Sequence, residues 1–143
     1  MHKSSIEGSI LGFDFGMKHI GVALGITSLQ STRPLSRLKA KDGVPCWQQI
    51  EDLIATWDAK ALVVGLPLNA DGSTQAIMLA AKKFSQRLQG RFKLPVFLVD
   101  ERYTTKQAKR EYRAYCNKSL DFDSIAAKII LESWLQEFNQ NNP

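Results

Sequence analysis

Two strand-length apolar runs, "ILGFDF" and "IGVALG", stand only the four residues "GMKH" apart, and this spacing restricts the folds open to the chain more than any other feature. So short a connection turns the chain straight back, so Ile10 to Phe15 and Ile20 to Gly25 are expected to form an antiparallel hairpin. "STRPLSRL" offers a third antiparallel strand, with Pro34 placing it at a sheet edge because proline cannot donate to a ladder. One residue is out of keeping with its surroundings. Asp14 sits at the end of the first run, where burying a carboxylate is costly unless it is paired, hydrogen-bonded or bound to a metal.

From about Val44 the apolar period changes. Trp47, Ile50, Ile54 and Trp57 recur at three- and four-residue steps, which lays them along one face of a helix. "ALVVGL" is a short continuous apolar run, as expected of a strand covered on both faces. "NADGS" then makes a turn ahead of a second amphipathic helix carrying Ile77, Ala80, Ala81, Phe84 and Leu88. "LPVFLVD" is the next strand, ending at Asp100 and followed by Glu101. "TTKQAKREYRAY" reads as a charged helix, and Ser124 to Phe138 as a last helix with Ile125, Ile129 and Ile130 on its apolar side. An antiparallel opening joined to crossover units gives an α/β fold: a mixed central sheet with helices on both faces. Ligands in such folds collect at the carboxyl ends of strands.

At 143 residues and 44% hydrophobic, the chain fits one domain over 1–143, with an ordered core from about 10 to 138. Cys46 and Cys116 have neither a Cys-x-x-Cys partner nor a metal-binding spacing, which speaks against a disulfide scaffold and a zinc site. "MHKSSIEGS" has no apolar stretch suited to a signal peptide, and "ALVVGLPL" is too short to span a bilayer. A cytoplasmic protein without a membrane partner is expected. The formal charge of +5 suits a polyanionic partner such as nucleic acid, although a mildly basic solvated surface carries the same charge.

Three acids stand out by position: Asp14, Glu101 and Asp123, the last opening "DSIAAKIILESWL". Converging carboxylates without histidine or thiolate suit a hard cation, Mg²⁺ or Mn²⁺, able to support phosphodiester hydrolysis. Each acid has a plainer reading. Asp123 taken alone is better read as a helix N-cap, a task open to Asp121 as well. Glu101 beside Arg102 makes an ordinary surface ion pair, and Asp14 can be satisfied by backbone amides of the glycine turn. Only their joint placement favours the metal.

The segment after Glu101 carries Arg102, Lys106, Lys109, Arg110, Arg113 and Lys118, with Tyr103, Tyr112 and Tyr115 interleaved. Positions 106, 109, 110 and 113 share one helical face. Beside a metal site such a face would hold phosphates while tyrosines stack on unpaired bases; the alternative is a solvated helix whose tyrosines pack inward. Asn69 in "GLPLNADG" is a further candidate phosphate contact at a helix start, and Lys18 a candidate from the hairpin turn.

Four motifs in sequence, "FDFGMKHIGVAL", "VVGLPLNADGS", "DERYTT" and "DSIAAKIILESWL", closely resemble the YqgF, or RuvX-like, family of pre-16S rRNA nucleases from about Ile10 to Leu135. The resemblance implies an RNase H-like fold and a catalytic, metal-binding triad of Asp14, Glu101 and Asp123. It implies a nuclease maturing the 5′ end of pre-16S rRNA in a ribosomal particle, with two alternatives: a Holliday junction resolvase, or an RNA-binding assembly factor that does not cut. A monomer and a homodimer both remain open. His19 stands where arginine is frequent in the family, and "NKSLDFDS" leaves the choice between Asp121 and Asp123; Asp123 is preferred because "DSIAA" opens the helix in register.

Overall fold

The computed structural model describes residues 6–66, 75–100, 110 and 122–140. Its strands are β1 (Ser9–Asp14), β2 (His19–Ile26), β3 (Ser31–Lys41), β4 (Val44–Pro45), β5 (Ala59–Leu66) and β6 (Val96–Asp100). Among the described residues the helices with both ends in view are α1 (Trp47–Trp57), α2 (Gln75–Phe92) and α3 (Phe122–Gln140). The six strands form one sheet in the order β4-β3-β2-β1-β5-β6. Strands β1 to β4 meet antiparallel, as short turns require, whereas β1–β5 and β5–β6 are parallel.

The hairpin expected from the sequence is present, whereas β3 is the second strand of the sheet rather than its edge; β4 pairs with it only at Ala40 and Lys41, so Pro34, opposite Ala23 of β2, lies in the stretch of β3 that β4 does not reach. β3 runs on to Lys41, three residues beyond the expected end, and turns at Asp42 and Gly43 into the two-residue strand β4. Both turn residues have positive φ, 52° and 81°, the requirement of a two-residue hairpin turn that Asp-Gly meets at little steric cost. The apparent loop before α1 is thereby tied into the sheet.

Helices cover the two faces differently. Alternation along β1 and β2 sends Leu11, Phe13, Ile20, Val22 and Leu24 to one face, where Leu62 and Val64 of β5 join them. There Ile50 of α1 and Ala81, Phe84 and Leu88 of α2 close the core. Phe84 is its centre: Phe13 meets it edge-on at 5.8 Å and Trp47 stacks on it at 5.9 Å. Burying each such side chain contributes about 1.5–3 kcal/mol. On the opposite face Ile10, Ala23, Ala61, Val63 and Val99 pack under Ala127, Ile130, Leu131, Trp134 and Leu135 of α3. Because β1 and β5 are covered on both sides, their apolar runs are continuous rather than alternating.

α1 ends at Asp58, whose left-handed backbone (φ 50°) lets its N–H donate to the carbonyls of Ala55 and Ile54 and starts β5 at once. The carboxyl ends of β1, β5 and β6 therefore lie along one edge of the sheet, with β5 between the other two. Among the described residues, no helix is long and apolar enough to cross a membrane.

Candidate active site

Asp14 is the last residue of β1. By alternation with Ile10 and Gly12 it belongs to the face that α3 covers. Its ladder partners are both glycine: Gly21 on β2 and Gly65 on β5. The Asp14 carboxylate is half-buried.

Gly21 also receives α3. A Cβ at this position would stand 1.9 Å from the carbonyl oxygen of Asp123 and 2.8 Å from the amide nitrogen of Ser124, so the first turn of the helix rests directly on the strand backbone. Residues paired across antiparallel strands have Cα atoms about 4.5–5.5 Å apart. Asp14 and the backbone of Asp123 are therefore both immediate neighbours of Gly21. Gly12 and Gly25 lie under the same helix, where Leu131 takes the space a side chain would need.

Ser124 fastens this contact. It is fully buried, and its Oγ accepts a hydrogen bond from the Val22 N–H at 3.2 Å. The β2–β3 ladder is irregular here: Ile20 pairs with Leu38 and Val22 with Leu35, so two steps on β2 answer three on β3. The extra residue is a bulge at Ser36–Arg37, opposite Gly21. Bulges bend a strand and re-aim a side chain, and they are common beside active sites. This one turns Arg37 toward α3, where its Nη1 lies 3.0 Å from Oδ2 of Asp123. The pair is 43% and 32% exposed, so its net contribution to stability is about 0–1 kcal/mol.

α3 begins at Phe122, which places Asp123 inside the first turn rather than ahead of it. Its carboxylate is thus engaged by Arg37, and the partial positive charge of the helix start favours an acid at this level. Sequence reasoning missed Arg37 and Ser124. A signal for the first was available in "LSRL": Leu35 and Leu38 both pack toward the α1–α2 core although three residues apart, a spacing that an unbulged strand cannot accommodate.

The remaining expected residues divide as follows. Lys18 is exposed in the β1–β2 turn, which is laced to β3: the Ala40 N–H donates to the Lys18 carbonyl at 2.8 Å, and the Gly43 N–H to Met17 at 2.9 Å. Arg110 is helical and exposed. Asp100 closes β6 beside Leu66. Glu101, Asn69, Arg102, Lys106, Lys109 and Arg113 lie outside the described residues, as does Asp121. Among the described residues no three His, Cys, Asp or Glu side chains cluster as a metal site, and the pair at hand is Asp14 with Asp123. Two carboxylates without nitrogen or sulfur donors fit a hard divalent cation and do not fit zinc.

A mixed sheet whose antiparallel hairpins continue into parallel crossover strands, with an acid ending β1 and another opening the last helix, has the architecture of the RNase H-like class. Solved structures agree. Thermus thermophilus RuvC in complex with a Holliday junction substrate superposes with a TM-score of 0.61 at 14% identity, covering 92% of this chain and 94% of that one. The yeast mitochondrial Holliday junction resolvase Ydc2 superposes with a TM-score of 0.59 at 11% identity, over 96% and 83%. At these identities the likeness establishes the fold. The chain belongs to the RuvX family, described as Holliday junction resolvase, whose model matches residues 8–137. Among its relatives, a protein of Coxiella burnetii (strain Dugway 5J108-111) named "Putative pre-16S rRNA nuclease" is 54% identical over 129 residues, 89% of this chain and 92% of the relative. One of the same name from Sodalis glossinidius is 48% identical over 137 residues, 92% and 96%.

Proposed function

We propose that this protein is a divalent-metal-dependent nuclease that hydrolyses phosphodiester bonds in structured RNA, acting in the cytoplasm on the 5′ end of pre-16S rRNA within a ribosomal particle. The observation that carries this reading is the placement of Asp14 and of the Asp123 backbone as neighbours of the same Gly21 at the carboxyl end of β1, in a chain whose relatives bear the name of that activity. Asp14 and Asp123, with Glu101 following β6, are the residues that would hold Mg²⁺ or Mn²⁺. When bound, such a cation activates a water and offsets the charge that develops on the phosphate. The protein's own part is positional. Gly21 lets the start of α3 settle on the strand next to Asp14, Ser124 fixes the helix start, and Lys18, Asn69, Arg102, Lys106, Lys109, Arg110 and Arg113 are proposed to hold phosphates.

A second reading, a DNA junction resolvase, is favoured by the family description and by the fold shared with RuvC. It calls for a homodimer, since two symmetric cuts need two sites. End-labelled RNA carrying the precursor 5′ region of small-subunit rRNA and a four-way DNA junction are incubated with wild type and Asp14→Asn in Mn²⁺ or Mg²⁺. RNA cleavage lost in the variant supports the proposal, and cutting of the junction alone replaces it with the resolvase. RNA binding without any cutting points to an assembly factor.

A further inference from the structure

The bulge that aims Arg37 at Asp123 also fixes the direction of the side chains that follow it. Leu38 and Ala40 face the α1–α2 core, so Arg37, Lys39 and Lys41 all stand on the opposite face, the one Asp123 occupies. All three are exposed. On this face α3 starts at Gly21 and runs toward Gly25 and Thr32: Leu131 and Leu135 lie over Gly25, and the Thr32 hydroxyl donates to Glu132 at 3.0 Å. The other half of the β2–β3 ladder, with His19 opposite Lys39, therefore projects beyond the helix start. Three cations line that projection at every second residue, roughly 6.6 Å apart, with Arg37 nearest the acids. β3 contains no acidic residue, and the β1–β2 turn bearing Lys18 is hydrogen-bonded alongside.

We propose that Arg37, Lys39 and Lys41 form a phosphate-holding ledge on β3 that receives the backbone of a nucleic-acid strand and leads it to Asp14 and Asp123. The inference rests on the nuclease reading above and adds a binding surface separate in sequence from the basic segment after Glu101. Charge complementarity selects the occupant. An evenly spaced row of cations beside two carboxylates suits a chain of phosphates entering from one side. Arg37 is the inner end of the row. In the free protein its guanidinium donates from Nη1 to Asp123, and an arriving phosphate oxygen takes that place as the acceptor. Lys39 and Lys41 act as point charges farther out.

The test is the salt dependence of binding to the labelled precursor RNA, measured by fluorescence anisotropy without divalent metal. Each phosphate contact contributes about 0.7 to 0.9 to the slope of log K against log salt. Replacing Arg37, Lys39 and Lys41 together by glutamine should make the slope shallower by about 2 to 3. Lys39→Gln with Lys41→Gln, which leaves the Arg37–Asp123 pair intact, should make it shallower by about 1.4 to 1.8. Lys60→Gln, on β5 beside Asp58, should leave it unchanged. Unchanged slopes in both ledge variants, with wild type still binding and cutting RNA, would overturn the ledge and leave the nuclease standing. If wild type neither binds nor cuts RNA or the junction, the nuclease reading falls and takes the ledge with it.

Discussion

Gly21→Ala is the substitution for which the structure gives the sharpest magnitude. In most strands alanine is the better residue, since glycine weakens a strand through its entropy and its lack of packing. Here the sign reverses. The new Cβ would lie 1.9 Å from the Asp123 carbonyl oxygen, and ordinary contact begins at 3.4 Å, so strand and helix must part by the difference, about 1.5 Å. The Val22–Ser124 hydrogen bond, already 3.2 Å long, cannot survive that movement. Overpacking costs about 1–3 kcal/mol, and a buried N–H left without its acceptor a further 1–3 kcal/mol. A domain in the middle of the ordinary stability range, about 10 kcal/mol, still folds after such a loss. The thermal midpoint should fall on the order of 10 °C, as followed by circular dichroism. Cleavage, assayed well below that midpoint, should fall about 100-fold, because misplacing one catalytic group by 1 Å costs about that much. A midpoint within 2 °C of wild type would refute the close approach of β2 and α3. A lowered midpoint with full cleavage would refute the role of Asp123 instead.

Removing the Ser124 hydroxyl leaves the strand–helix distance unchanged but takes away the acceptor of the Val22 N–H. Ser124→Ala should destabilise by about 1–3 kcal/mol, read in urea unfolding as a lower midpoint at unchanged m. The opposite outcome is expected at Gly90 in α2, where an added Cβ meets nothing within 4 Å. Gly90→Ala should stabilise by about 0.5–1 kcal/mol in the same assay through backbone entropy alone, with cleavage unaltered.

Much of this architecture is legible in the sequence because it follows from local pattern. The hairpin follows from four residues between apolar runs, α1 from the spacing of its tryptophans and isoleucines, and β5 from an unbroken apolar run. The features that build the site are of another kind. The bulge at Ser36–Arg37 depends on which face Leu35 and Leu38 share, and that is settled only when the sheet chooses its helices. Gly21 reads as one more small residue in an apolar strand until α3 arrives from a hundred residues away. Asp123 reads as a cap because a lone acid before an apolar helix usually is one, whereas its ion pair with Arg37 is a long-range contact. The β3–β4 hairpin was open to prediction from the Asp42–Gly43 dipeptide, although its two-residue second strand has no periodicity to detect. Glu101 and, apart from Arg110, the basic segment behind it lie outside the described residues, so their part in the site rests on sequence.

Asp14 and Asp123, placed beside the same Gly21, are proposed to hold one divalent cation. Calorimetric titration of Mn²⁺ into wild type, Asp14→Asn and Asp123→Asn tests this most directly, without dependence on any substrate. Wild type is expected to show a saturable site that weakens at least tenfold in each variant while their thermal midpoints show both still folded. Equal Mn²⁺ affinity in all three proteins would contradict the shared site.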